Sequence, residues 1–142
     1  MAKKTDERAA AMLDHGQYGA VVSGIRRIHR IARRLSRIPE ERLSVDMDTA
    51  LDVDYINEWL DIILRQLCGQ QAAVMPPLSE NPSPQELYRH CMKKARKQAG
   101  CIRWGLFTGR ISRELVTEDI WAGVDSAVSM MESVAAEQRR WR

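Results

Sequence analysis

The chain has one phenylalanine, three cysteines and no apolar run that approaches the length of a membrane span. Each scarcity excludes something. A spanning helix needs about 20 consecutive apolar residues, and the opening MAKKTDERAAAM has two lysines without the apolar stretch that a secretory leader places after them. Cys68, Cys91 and Cys101 are odd in number and form no CxxC pair, so they read as reduced thiols in a reducing compartment. A cytoplasmic protein is expected. No segment alternates apolar and polar residues for long enough to suggest a strand, and no internal repeat is visible. There is no catalytic or metal motif, so neither an enzyme nor a cofactor is expected.

What remains is 142 residues, 44% hydrophobic and 29% charged, long enough to bury one core without disulfides or metal. The expected fold is all-α. It is an irregular bundle of four main helices plus one or two short ones, a single domain over 1–142 with a flexible connection at 69–83. The net charge is only +3, so where the charges lie matters more than their sum.

Tyr18 to Ile38 is the most strongly patterned stretch. At ~100° per residue, Arg26, Arg27, Arg30, Arg33, Arg34 and Arg37 share one arc, and Ile25, Ile28, Ile31, Ala32, Leu35 and Ile38 lie opposite. Pro39 stops this helix. A short helix is expected before it over 5–14, ended by Gly16, and a loop after it over 44–49. A second strong helix is expected from about Asp52 to Leu67, with Ile56, Leu60, Ile63 and Leu67 at 4-3-4 spacing. Four of the five prolines fall between residues 76 and 84, marking a connection.

Ser83, Pro84 and Glu86 give the clearest start signal: an N-cap serine, proline at the first helical position and a glutamate placed to complete a capping box. That helix is expected to reach Ala99 and stop at Gly100, with a separate short piece over 101–107 broken by Gly105 and Gly109. The last helix is expected from Thr117 to about Arg139. Its stripe Ile120, Val124, Ala127, Met131 and Val134 fits packing within the chain first, and a homodimer seam second.

The arginine arc admits three readings. It is a solvated face, or one paired with the acidic block from Asp46 to Asp61; it binds a nucleic acid through phosphate; or it binds an acidic protein. Arg89 to Arg113 holds eight lysines and arginines and no acid, interleaved with Trp104 and Phe107. Those aromatics are expected as core anchors first and, for Trp104, as a stacking platform for unpaired bases second. A helix-turn-helix around Gly100 is a weak match, because Gly105 and Gly109 fall inside what should be the recognition helix. Asp54, Glu58 and Asp61 share a helix face but have no matching carboxylate motif elsewhere for Mg²⁺. His90 beside Cys91 lacks the further ligands a metal site needs.

The expectation is a non-enzymatic accessory or regulatory subunit of a nucleoprotein assembly. Arg26, Arg27, Arg30, Arg33, Arg34 and Arg37 are its first contacts to DNA or RNA, and Lys93, Lys94, Lys97, Arg103, Trp104 and Arg110 its second. The alternative is a small inhibitor or adaptor that docks an acidic surface of a larger protein with the same arginines.

Overall fold

The computed structural model describes residues 13–69 and 74–140, the last two of these by backbone alone. The described residues form four long helices: α1 (His15–Leu35), α2 (Met47–Cys68), α3 (Pro84–Thr108) and α4 (Glu118–Arg140), with short 3₁₀ turns at Glu40–Arg42 and Arg113–Leu115 and no strand. The short helix expected over 5–14 falls, but for Leu13 and Asp14, outside the described residues. Gly16 ends nothing: it lies in the first turn of α1, which Asp14 caps.

The starts of the helices follow from local chemistry. Asp14 accepts from the Gln17 N–H at 2.7 Å while the Gln17 side chain accepts from the Asp14 N–H at 3.1 Å, a reciprocal capping box. Asp46 accepts from the Thr49 N–H at 2.8 Å, a bond that holds its carboxyl below the usual carboxylate range. This cap starts α2 at Met47, five residues ahead of the expected Asp52 and inside the stretch expected as loop. Ser83 caps α3 as expected, accepting from the Glu86 N–H at 3.1 Å. The Glu86 carboxylate accepts instead from the Ser79 hydroxyl, also at 3.1 Å, so the capping box is only half made.

The largest correction concerns α3. It runs unbroken for 25 residues through Gly100 and Gly105, so there is neither a stop at Gly100 nor a helix-turn-helix. Both glycines are there for packing. A Cβ at Gly100 would lie 3.4 Å from the His29 ring of α1, and one at Gly105 only 2.6 Å from Ile111, which folds back after the helix and donates its N–H to the Gly105 carbonyl at 3.0 Å. Gly109, at φ 75°, is where the helix ends in a left-handed residue.

α1 packs on α3 and α4, and α2 packs on the same two, so α1 and α2 sit diagonally across the bundle. Neighbouring residues give the directions. Gly24 meets Val124 and Arg27 meets Glu132, so α1 and α4 are parallel. Asp54 meets Cys91 and Cys68 lies near Gly105, so α2 and α3 are parallel. His29 meets Gly100 and Val22 meets Leu106, so α1 and α3 are antiparallel. The order is up, down, down, up. Two successive helices in one direction need a return along the bundle, about 33 Å for the 22 residues of α2 at 1.5 Å each. The proline-bearing connection 69–83 is that crossover, and at ~3.3 Å per extended residue it reaches about 50 Å.

Ile25, Ile28, Ile56, Leu60, Ile63, Tyr88, Met92, Ile102 and Met131 fill the centre, each at most 1% exposed. The α4 stripe of Ile120, Val124, Ala127, Met131 and Val134 is buried in this same core, which leaves it no free side for a second copy. Asn57 and Gln98 join α2 to α3 inside it. The Asn57 amide donates to the Cys91 carbonyl at 2.7 Å, and Gln98 Nε2 donates to Asn57 Oδ1 at 3.1 Å.

Candidate nucleic-acid interface

The apolar side of α1 faces α3 and α4, which turns its arginine arc directly outward. Arg26, Arg27, Arg30, Arg33 and Arg34 are all exposed, and Arg37 is exposed just beyond the end of the helix. Because α2 is diagonal to α1, its carboxylates at Asp48, Asp52, Asp54, Glu58 and Asp61 face away from the arginines with the core between them. Pairing of the acidic block with the arginine face, one of the readings the sequence leaves open, is therefore not made among the described residues. Among the described residues the ion pairs are Arg27 with Glu132 of α4 and Arg65 with Asp61, the latter at 3.8 Å within α2.

The arc has two edges. On the α3 side, Arg26 shares a small pocket with Val22, Arg103, Leu106 and Phe107. One turn along, His29 is held between Arg33 of its own helix and Arg96 and Arg103 of α3. Burial first, and then these three cations, push its pKa below the ordinary histidine value. Lys93, Arg96, Lys97 and Trp104 continue the basic surface along a groove closed on the far side by Val74, Met75 and Pro76 of the crossover. On the α4 side, Arg34, Arg37 and Arg42 surround a second pocket floored by Leu35, Ile38, Pro39 and Ala135, with Gln138 at its wall. Among the described residues no carboxylate lines either pocket or the groove.

Most of the expected site residues thus meet on one continuous α1/α3 face. Three do not join it freely. Arg27 is already paired. Lys94 is half-buried on the other edge of α3, where its charge acts on His90 and Cys91. Arg110 lies past the end of α3, in the turn after Gly109. Arg96 and His29 belong to the face, and Arg42 to its α4 edge, although the local pattern does not mark them. Arg96 and Arg103 stand at i and i+7, a spacing that an unbroken α3 makes meaningful.

Trp104 and Phe107 are not core anchors. They are 58% and 83% exposed, their ring centroids 6.3 Å apart, on the side of α3 opposite Ile102 and Leu106. Cys91 is a buried structural thiol 3.8 Å from Asp54 Oδ1, its pKa pushed up to about 12 by burial and then by that carboxylate. No group of three or more His, Cys, Asp or Glu side chains among the described residues is placed to hold a metal ion. No described helix is long and apolar enough to cross a membrane.

No protein-family model matches the sequence, and comparison with curated proteins and with solved structures finds no match.

Proposed function

We propose that this chain is a non-enzymatic, nucleic-acid-binding accessory subunit of a nucleoprotein assembly that holds phosphate on the arginine face of α1. The observation behind the reading is the diagonal placement of α2, which leaves Arg26, Arg30, Arg33, Arg34 and Arg37 exposed and without an ion pair among the described residues. Guanidinium groups offer forked donors to phosphate oxygens, and a row of them along one helix and its C-terminal turn can follow a backbone. Arg96, Lys97 and Arg103 extend the contact across α3. Arg33, Arg96 and Arg103 converge on His29, where burial first and then their charges lower the imidazole pKa. Contacts of this kind position a strand and carry little sequence preference.

The test is a fluorescence-anisotropy titration against single- and double-stranded DNA and RNA at about 50 and about 200 mM salt. Neutralising four phosphates gives a log-log slope near −3.6 on duplex and weakens binding by roughly 150-fold across that range. Absence of binding at micromolar protein in the lower salt would overturn the reading. The arginine face would then belong to an acidic protein partner.

A further inference from the structure

The solvent face of α2 is not polar. Met47, Leu51, Tyr55 and Ile62, at i, i+4, i+8 and i+15, are 38%, 50%, 47% and 48% exposed and form a stripe directly opposite the core residues Ile56, Leu60 and Leu64. Tyr55 stacks edge-on against Trp59 at 6.4 Å between centroids, which stiffens the middle of the stripe. Carboxylates rim it: Asp48 and Asp52 along one edge, Asp54 and Asp61 along the other, with Glu58 between. Among the described residues Asp61 is the one of these that forms an ion pair, with Arg65. A row of this length, apolar at its centre and anionic at its rim, is shaped for a surface with aromatic centres and a cationic rim.

This chain carries such a surface. Trp104 and Phe107 project from the outer face of α3, flanked by Lys93, Arg96, Lys97 and Arg103, and no carboxylate lies in that segment. We propose that the two faces pair between copies, the α2 stripe of one copy receiving Trp104 and Phe107 of the next. Two α2 stripes brought together would oppose their carboxylates, and two α3 faces would oppose their cations, so the contact is between unlike surfaces. A pair then keeps one unused face of each kind, an α3 face on one copy and an α2 stripe on the other, and association extends to a ring or a filament instead of stopping at a dimer. Arg30, Arg33, Arg34 and Arg37 of α1 stay outside the contact, whereas Arg26, Arg96, Lys97 and Arg103 border Trp104 and Phe107 and belong to both surfaces. The pairing itself does not depend on the phosphate reading.

Sedimentation velocity of the full chain at about 5 and about 200 µM, in about 50 and about 500 mM salt, tests it through the mass action of association and its screening. The wild type is expected to form species larger than a dimer at the higher concentration, with an apparent Kd at least about tenfold weaker in the higher salt. Leu51→Lys with Tyr55→Lys, and separately Trp104→Asp with Phe107→Asp, are each expected to be monomeric. An equimolar mixture of these two variants retains one intact face of each kind and is expected to give a dimer that grows no further. Ile62→Lys and Phe107→Asp, used singly, repeat the test if circular dichroism shows that a double variant has not folded. A wild type that stays monomeric under the most favourable condition overturns the proposal. So does association that survives disruption of either face, or a mixture of the two variants that stays monomeric.

Discussion

Two glycines of α1 separate local helix preference from packing. Gly19 is exposed, and a Cβ added to it would meet nothing within 4 Å. Gly24 is buried where α1 crosses α4, and a Cβ there would lie 2.6 Å from Val124 Cγ1 and 3.2 Å from Val128 Cγ2. Both positions are inside the same helix, so replacing either glycine with alanine recovers about 0.5–1 kcal/mol of helix propensity. At Gly24 a larger cost opposes it. Valine has one favoured rotamer in a helix and cannot swing its methyls aside, and overpacking costs about 1–3 kcal/mol. Gly19→Ala is therefore expected to stabilise by about 0.5–1 kcal/mol and Gly24→Ala to destabilise by about 1–2 kcal/mol. Near 3–4 °C per kcal/mol for a chain of this size, the two melting temperatures should differ by roughly 5–10 °C in opposite directions from wild type. Far-UV circular dichroism melts and urea titrations read both. Equal stability of the two variants would refute the close approach of α1 to α4, and the parallel placement built on it.

Asn57→Ala should destabilise by about 2–3 kcal/mol in urea titration, because it strips Gln98 Nε2 of its closest partner inside the core. At pH 8, exposed Cys101 is expected to react with a thiol reagent within minutes while Cys91 reacts only on unfolding; equal rates would contradict the burial of Cys91. Since the folded-state pKa of Cys91 stands at about 12 against 9.0 for the free thiol, the stability it contributes is present below about pH 9 and falls as pH rises toward 12. His29 has the opposite sign: its pKa is lowered in the fold, so its contribution is present above its unfolded value of 6.5 and is lost as pH falls through the depressed one. A polyanion placed against Arg33, Arg96 and Arg103 should raise that pKa, giving tighter binding at lower pH and a downfield shift in the His29 titration by NMR; an unmoved titration would separate the ligand from this edge of the face.

Periodicity finds α1, the body of α2 and α4, because their apolar residues repeat every three or four positions and those residues do fill the core. It fails where glycine and exposed apolar residues do something other than the usual. Gly100 and Gly105 read locally as helix breakers, yet each is small because His29 or Ile111 lies against it, and a contact made by a distant residue leaves no mark on the local pattern. Met47, Leu51, Tyr55 and Ile62 blur the period of α2 and hide its first turn, since an apolar count does not tell the buried side from the exposed one. Trp104 and Phe107 mislead in the same way. The arginine arc itself is plain in the sequence. Whether the acidic block covers it depends on which helices become neighbours, and that is decided by the crossover at 69–83, which runs α2 and α3 in one direction and leaves α1 and α2 diagonal.

The central claim is that the uncovered arginines of α1 hold phosphate, and the salt dependence of binding tests it most directly. Anisotropy titrations of the wild type and of Arg30→Gln with Arg34→Gln should be run across a salt series on one duplex. Loss of two phosphate contacts predicts a log-log slope smaller in magnitude by about 1.8 for the arginine pair. Equal slopes for the two proteins would contradict the account.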